Sequence, residues 1–299
     1  MGHKRPFIFY TNGYDIFFWD DERYPPRKAY GFFRREDLNR RRFQKENVRP
    51  LSDSLIDTNI AARPYQVKAI RRILETFEMA ERKALLVMAT GTGKTRVAVV
   101  LVDLLMRAKR IKNVLFLVDR KKLRKQVRDS FMELLPDSPR KILSTGDEDL
   151  DKRVYFATYP AMNNLYPKYS PAAFDLIIAD ESHRSIYKKY RGIFQYFDAL
   201  QVGLTSTPVD FVERNTFGIF NCEQGVPTDH YALEQAIDEE WLVNYRVFDV
   251  RTQFQIDGIQ PGDLTDDAKE ELERQGIDPE DFLIQGTLGL GASCYFKEA

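Results

Sequence analysis

Short apolar runs alternate along the chain with segments whose apolar residues recur at helical spacing. The short runs are 84–88, 113–118, 153–158, 174–180 and 201–205, each rich in Val, Leu, Ile and Phe. Helical spacing occurs at 63–79, from Lys94 onward and at 121–135. Strands that are apolar throughout are typical of parallel sheets, because both faces of such a sheet are covered by helices. The pattern therefore predicts an α/β fold with a parallel sheet flanked by helices.

A different pattern precedes this region. Residues 7–19 predict two aromatic-rich strands around an Asn12-Gly13 turn, and 36–45 predict a short basic helix. The segment from 20 to 31 contains two adjacent prolines and is predicted to be a loop. We predict three parts: 1–59, a hairpin and helix segment with its connector; 60–230, the α/β domain; and 231–299, a C-terminal linker.

The segment 84–105 has the order of elements that holds the phosphates of a nucleotide. A predicted buried strand leads into a polar loop, 89–93, and an apolar helix begins near Lys94. Backbone N–H groups and the helix dipole favour an anion there, and glycines let the backbone approach it closely. Lys94 is expected to reach the β- and γ-phosphates, and the Thr95 hydroxyl to bind Mg²⁺. The expected cofactors are thus ATP and Mg²⁺, and the expected contacts are Thr90, Gly91, Thr92, Gly93, Lys94 and Thr95.

Polar residues also follow other predicted strands, and the carboxyl ends of parallel strands meet at one edge of a sheet. Asp180 is expected to hold Mg²⁺ through a water, and Glu181 to orient and deprotonate the attacking water. The alternative for this acidic pair is a helix N-terminus. A second group of polar residues is expected to couple the state of the γ-phosphate to movement elsewhere in the protein. The Thr/Ser segment of this group also fits a turn without such a role. The members of this group are His183, Thr205, Ser206 and Thr207.

Gln66 begins the helix at 63–79, ahead of the phosphate loop. Its amide offers a donor and an acceptor, so it can read N6 and N7 of adenine together. A glutamine at a helix start is otherwise usually just solvated.

The net charge of zero hides a basic block, since residues 107–128 hold ten Lys or Arg against one acid, Asp119. A block of this kind is typical of proteins that bind polyanions, although a solvated helix face is the alternative. Its members are Arg107, Lys109, Arg110, Lys112, Arg120, Lys121, Lys122, Arg124, Lys125 and Arg128.

Composition restricts the remaining possibilities. A hydrophobic content of 43% and a charged content of 30% are ordinary for a globular protein. No apolar run approaches the roughly 20 residues that cross a bilayer. Cys222 and Cys294 match no metal or redox spacing, which favours free thiols in a cytoplasmic setting. The three histidines are scattered along the sequence, which argues against a histidine-based metal site.

The motifs as a set resemble a known family. ATGTGKT, VDRKKL, ATYPAM, DESH and LTSTP, in this order, resemble the first RecA-like lobe of superfamily 2 DNA translocases. That family tolerates Met88 where the general phosphate-loop pattern has glycine. The stretches FIFYTNGYDIFFWDDERYPPRKAYGFF, RPYQVKAIRRI, ESHRSIYKKYRGIFQYFDALQVGLTSTP and TDHYALEQAIDEEWLVNYRV are similar to the restriction (R) subunit of type I restriction–modification systems.

The resemblance implies ATP-dependent translocation of double-stranded DNA, cleavage at a distance, and methylase and specificity subunits as partners. It implies that RPYQ, with Arg63 and Gln66, reads adenine, and that Arg120 and Thr158 contact the DNA backbone. Lys122 lies in the same basic block and is expected to join them. Residues 1–59 then correspond to the end of a nuclease-like domain. The resemblance also implies a second lobe whose arginines complete hydrolysis, so this chain alone is expected to turn over slowly.

Two other interpretations stay open. One is another superfamily 2 helicase, for instance of the repair type, which would need no methylase or specificity partners. The other is a non-catalytic, nucleotide-dependent DNA-binding module, which would bind ATP without turnover.

Overall fold

Seven parallel strands form the central sheet of the protein in a computed structural model. The structure describes residues 6–21, 23–52, 54–144, 150–180, 184–207 and 214–244, together with 266, 269, 282–285 and 293–296. The strands are β4 (Lys83–Met88), β5 (Val114–Val118), β6 (Arg140–Ile142), β7 (Val154–Thr158), β8 (Leu176–Ala179), β9 (Leu200–Thr205) and β10 (Asp229–Tyr231). Their order across the sheet is β10-β4-β9-β8-β5-β7-β6.

Helices cover both faces of this sheet, which confirms the predicted fold class. Successive strand residues point to opposite faces, so Val114 and Phe116 join one core while Leu115 and Leu117 join the other. The first core also receives α2 (Pro64–Glu78), α3 (Lys94–Arg107), α4 (Lys121–Leu134) and α8 (Leu233–Asp238). The second core receives α5 (Tyr159–Leu165), α6 (Arg184–Tyr196) and α7 (Arg214–Ile219). A short 3-10 helix, Tyr166–Lys168, follows α5.

The N-terminal segment is a small antiparallel sheet followed by a helix. β1 (Ile8–Thr11) and β2 (Ile16–Trp19) form the predicted hairpin, and the Asn12 side chain accepts hydrogen bonds from the backbone of Tyr14 and Asp15. The basic helix is α1 (Arg35–Asn47). The predicted loop at 20–31 was wrong in part, because it contains a third strand, β3 (Arg27–Ala29), that pairs with β2. The two prolines lie just before this edge strand, where they remove no ladder hydrogen bond.

Contacts divide the chain into two compact units, Met1–Val243 and Asn244–Ala299. The N-terminal segment therefore packs as part of the unit that holds the sheet. In the second unit the structure describes an antiparallel pair, β11 (Phe282–Gln285) and β12 (Ser293–Phe296). The boundaries predicted at 59 and 230 stay predictions, although the first unit continues past Tyr231 to Val243. Among the helices that the structure describes, none is long and apolar enough to cross a membrane.

Candidate nucleotide-binding site

The predicted phosphate loop lies between β4 and α3, over residues 89–93. Gly91 and Gly93 adopt φ values of +86° and +90°, in the left-handed region that strains residues with a side chain. Gly93 is the residue before the first turn of α3 and provides no side-chain cap. The first amides of an α-helix have no partner within the helix, so the start of α3 suits an anion; phosphate binding there stays a prediction.

Hydrogen bonds to two other elements, α2 and β10, fix this loop. The Thr92 carbonyl accepts from Tyr65 Oη at 3.0 Å and from Gln66 Nε2 at 2.9 Å, both on α2. The Ala89 backbone N–H donates to the Tyr231 carbonyl on β10 at 3.0 Å. Thr92 itself is fully buried, and its hydroxyl donates to the Ala89 carbonyl at 2.6 Å. The Thr92 hydroxyl therefore shapes the loop, whereas Thr90 is exposed.

Lys94 lies over the loop that it follows. Its Nζ donates to the Met88 carbonyl at the end of β4, at 3.1 Å. The ammonium group is thereby held at the strand end from which the loop begins, and its contact with a phosphate stays a prediction. Thr95, the next residue of α3, is partly exposed.

Gln66 is 2% exposed and serves the loop as well as its own helix. Its Nε2 donates to the Thr92 carbonyl, and its Oε1 accepts from the Arg63 backbone N–H at 3.4 Å. A primary amide has two N–H donors and two lone pairs, and these two contacts use one of each. Adenine recognition by Gln66 stays a prediction.

An aromatic cluster beside the loop was not predicted as part of the site. Tyr65 stacks on Tyr231 with ring centroids 3.9 Å apart, and Trp241 packs edge-on against Tyr65 at 6.0 Å. The Arg63 guanidinium lies 5.2 Å from the centre of the Trp241 ring and donates to Tyr65 Oη at 2.8 Å. These residues come from α2, β10 and the segment after α8, so only the fold brings them together.

Leu242 extends this cluster onto the phosphate loop. A Cβ atom built on Gly91 would lie 3.2 Å from Leu242 Cδ2. The Leu242 backbone N–H donates to the Ala236 carbonyl at 2.9 Å, which anchors it to the end of α8. The segment that follows α8 therefore contacts the loop directly.

The strand-end residues lie at the same edge of the sheet as the loop. Asp180 directly follows β8, where its backbone N–H donates to the Leu117 carbonyl and its carbonyl accepts from Tyr159 Oη, both at 2.9 Å. β9 separates β8 from β4, so Asp180 begins roughly 10 Å across the sheet from the loop.

Two threonines at strand ends also have local structural roles. Thr158 ends β7, is 6% exposed, and accepts from the Ala161 backbone N–H at 3.4 Å as the N-cap of α5. Thr205 ends β9, is fully buried, and accepts from the Thr207 backbone N–H at 3.1 Å. Thr158 is thus a helix cap, and the turn interpretation describes the geometry of Thr205 and Thr207, while DNA contact and coupling stay predictions. Ser206 lies within this turn, whereas Glu181 and His183 lie outside the described residues.

The basic block does not form one surface, which corrects the sequence-based expectation. β5 runs through its middle, so 107–112 lie at the amino-terminal edge of the sheet and 120–128 at the carboxyl-terminal edge. Only the second half shares an edge with the phosphate loop. There Arg120 has a side chain that is 81% exposed, and Lys122 is exposed on α4. α4 buries only Val127 and Phe131, so most of the helix faces outward.

No group of three or more His, Cys, Asp or Glu that could hold a metal occurs in the described part of the chain.

Comparison with known proteins decides the family. Residues 59–210 match the family described as “Type III restriction enzyme, res subunit”. The chain belongs to this family. The matched region covers β4 to β9 with both the phosphate loop and Asp180. The resemblance to a restriction subunit with a superfamily 2 helicase lobe, expected from the motifs, is confirmed.

Individual relatives agree with this assignment. Over 209 residues the chain is 32% identical to the type I restriction enzyme EcoAI endonuclease subunit of Escherichia coli, covering 67% of this chain and 25% of that protein. Over 222 residues it is 27% identical to the Schizosaccharomyces pombe protein irc3, which is described as a mitochondrial ATP-dependent helicase, covering 69% and 36%. The chain thus spans a minor part of each relative.

A solved structure, described as a fragment of an HsdR subunit of a type I restriction enzyme from Vibrio vulnificus YJ016, is also similar. It has a TM-score of 0.47 and 27% identity, and covers 78% of this chain and 42% of that one.

Proposed function

We propose that this chain is the ATP-binding motor lobe of a type I restriction endonuclease R subunit, acting on double-stranded DNA together with methylase and specificity subunits. The observation that carries the proposal is the phosphate loop, with two left-handed glycines and Lys94 held over it, at the sheet edge that also carries Asp180. These features suit a triphosphate with Mg²⁺ better than they suit a neutral ligand.

Each residue has a distinct expected task. The amides at the start of α3 and the Lys94 ammonium bind the phosphates through charge-assisted hydrogen bonds. Thr95 and Asp180 hold Mg²⁺, which neutralises charge on the phosphates when it is bound. Glu181 orients and deprotonates the attacking water. His183 and the turn at Thr205 to Thr207 would then relay the state of the nucleotide.

Nucleotide binding is tested by calorimetric titration of the chain with a non-hydrolysable ATP analogue and Mg²⁺. Lys94→Ala should weaken the affinity by about tenfold or more, because a hydrogen bond to a charged group contributes roughly 1.5–3 kcal/mol. Lys112→Ala is the matched control, since Lys112 is exposed at the opposite edge of the sheet. Equal affinities of wild type and Lys94→Ala would refute the assignment of the loop.

DNA binding is tested with the two halves of the basic block. Replacing Arg120 and Lys122 with Ala should flatten the dependence of log affinity for duplex DNA on log salt by about two units, one for each lost phosphate contact. The control variant carries Lys109→Asn and Lys112→Ala, and asparagine is chosen because Lys109 has a φ of +57°. An equal change of slope in both variants would mean that the edge carrying the phosphate loop has no special role in DNA binding.

A second candidate is a helicase that acts without restriction partners, which the similarity to irc3 favours. Co-expression of the chain with methylase and specificity subunits of a type I restriction system, followed by co-purification, separates the two. A stable complex supports the R-subunit function. Helicase activity of the protein in the absence of such partners supports the alternative.

A further inference from the structure

A second basic region lies at the amino-terminal edge of the sheet, away from the phosphate loop. A cavity of about 340 Å³ lies there between the N-terminal segment and the beginnings of several strands, with Arg82 before β4 and Leu200 at the start of β9. Three aspartates line it, against twice that number of basic residues. These are Arg23, Arg41, Lys45, Arg82, Lys109 and Arg110.

One aspartate in this wall is already saturated with arginines. The Asp198 carboxylate is 7% exposed and accepts from Arg27 Nε at 2.6 Å and Nη2 at 2.8 Å. It also pairs with Arg82 Nη2 at 2.7 Å and Arg41 Nη1 at 3.0 Å. A carboxylate has about four lone-pair sites, and these four contacts occupy them, so Asp198 can accept no further hydrogen bond. Asp20 provides a second partner for Arg27 at 3.2 Å. This cluster therefore holds three guanidinium groups, those of Arg27, Arg41 and Arg82, and only the two carboxylates of Asp20 and Asp198.

The same imbalance recurs beside it. Arg110 Nη2 pairs with Glu78 at 2.6 Å, and Arg23 shares that carboxylate at 3.8 Å. Burial and the charge of Arg23 lower the pKa of Arg110. Burial, with the charges of Arg27 and Arg41, lowers the pKa of Arg82 to about 10. Desolvated positive charge is thus in excess along this wall.

Several guanidinium donors also have no partner. Within the part of the chain that the structure describes, the Nε atoms of Arg23, Arg41 and Arg110 are buried and make no hydrogen bond. Buried donors without acceptors are uncommon in native proteins, because each loses its hydration without compensation. A bound acceptor with several oxygens would draw these side chains into a better arrangement.

We propose that this cavity binds a small phosphate-bearing anion. Adjacent planar guanidinium groups match the oxygens of a phosphate, and a carboxylate side chain would offer fewer of them. The volume lies within the range of about 300–1,000 Å³ that is typical of small-molecule sites. Phe7, Tyr24, Val48 and Leu200 also line the cavity, so an organic phosphate ester has apolar surface to contact.

This site is separate from the phosphate loop. The loop follows the end of β4 and Arg82 precedes its start, so the strand places roughly 16 Å between them. The walls come from both the N-terminal segment and the sheet domain. An anion bound there would therefore fasten the N-terminal segment to the motor lobe.

The test uses the full chain carrying Lys94→Ala, so that phosphate binding at the nucleotide loop does not mask the second site. Thermal unfolding is followed with increasing sodium phosphate against sodium chloride at matched ionic strength. We expect a saturable rise of Tm with phosphate only. A 5′-mononucleotide should bind more tightly than inorganic phosphate if the apolar wall takes part, and equal affinities would identify inorganic phosphate itself as the sufficient ligand.

Variants locate the binding. Arg110→Gln should weaken phosphate binding by about tenfold. Lys109→Asn, at an exposed position, should weaken it by about threefold. Arg72→Gln is the control, because its side chain is exposed on α2 and pairs only locally with Glu75. Absence of saturable stabilisation, or equal affinities in all three variants, would overturn the proposal. The size of the effect of Lys94→Ala on ATP binding tests the proposed function alone, because all of these proteins carry that substitution.

Discussion

Substituting Gly93 with alanine tests how tightly the phosphate loop is held by Gln66. Gly93 has φ +90° and ψ +36°, so any side chain there is strained by about 1–2 kcal/mol. The alanine Cβ would also lie 2.4 Å from Gln66 Nε2, which is closer than nonbonded atoms approach. The amide must therefore move, and its hydrogen bond to the Thr92 carbonyl must lengthen or break.

The two costs can be separated by their sources. Displacing the buried amide leaves an unsatisfied donor, which costs about 1–3 kcal/mol, in addition to the backbone strain. Gly93→Ala should thus lower the free energy of unfolding by about 2–5 kcal/mol in total. In a Gln66→Ala background the collision is gone, and the Thr92 carbonyl still accepts from Tyr65 Oη. There the same substitution should cost only the strain, about 1–2 kcal/mol.

Urea unfolding of the four proteins of this double-mutant cycle, followed by circular dichroism, gives the coupling energy when the m values agree. Gly225→Ala is the reference for strain alone, since Gly225 has φ +79° and a Cβ at that position would have no atom within 4 Å. Equal costs of Gly93→Ala in both backgrounds, within about 0.5 kcal/mol, would refute the packing of Gln66 against the loop.

Three further predictions concern other parts of the molecule. Burial acts to raise the pKa of Asp198, but its three arginines hold it well below the usual value. The ionised Asp198 carboxylate therefore stabilises the fold fully above about pH 4, and this stabilisation is lost as the pH falls. Asp198→Asn should lower the free energy of unfolding by about 3–5 kcal/mol near pH 7. Urea unfolding should show this difference from wild type shrinking in acid. MgATP should change the fluorescence of Trp241, which packs beside the loop, and Trp241→Phe should abolish the change while Trp19→Phe retains it. The chain by itself should hydrolyse MgATP slowly, and Glu181→Gln should reduce phosphate release further without weakening binding; DNA-stimulated turnover on the order of 1 s⁻¹ would contradict this.

Local sequence was sufficient for the parts of the fold that depend on short-range patterns. The strand before the phosphate loop was predicted at 84–88 and is observed at Lys83–Met88, and α3 begins at Lys94 as expected. Two strands of the sheet were missed, β6 with the sequence RKI and β10 with DHY. Each has three residues and little apolar character, so hydrophobic periodicity carries no signal for either. Each forms because a longer neighbouring strand, β7 for β6 and β4 for β10, provides backbone groups for hydrogen bonding.

The contacts that hold the site were beyond prediction for a related reason. Tyr65 and Gln66 bond to Thr92 across 27 and 26 residues of sequence, and Tyr231 bonds to Ala89 from the far end of the domain. Nothing in the local spacing of a tyrosine distinguishes a residue that supports a loop from one that fills a core. The phosphate loop could be predicted because seven consecutive residues determine its chemistry. The residues that hold the loop in place come together only through the order of the strands in the sheet.

The basic block shows the same limit from the opposite direction, because residues that are adjacent in sequence can be separated by a strand. β5 divides the block into a half beside the phosphate loop and a half at the other edge of the sheet. A parallel strand always does this, since its two ends lie on opposite edges. A charge run that spans a predicted buried strand should therefore be counted as two sites. We therefore propose the DNA backbone as the ligand of Arg120 and Lys122, and the small anion of the amino-terminal cavity as the ligand of Lys109 and Arg110.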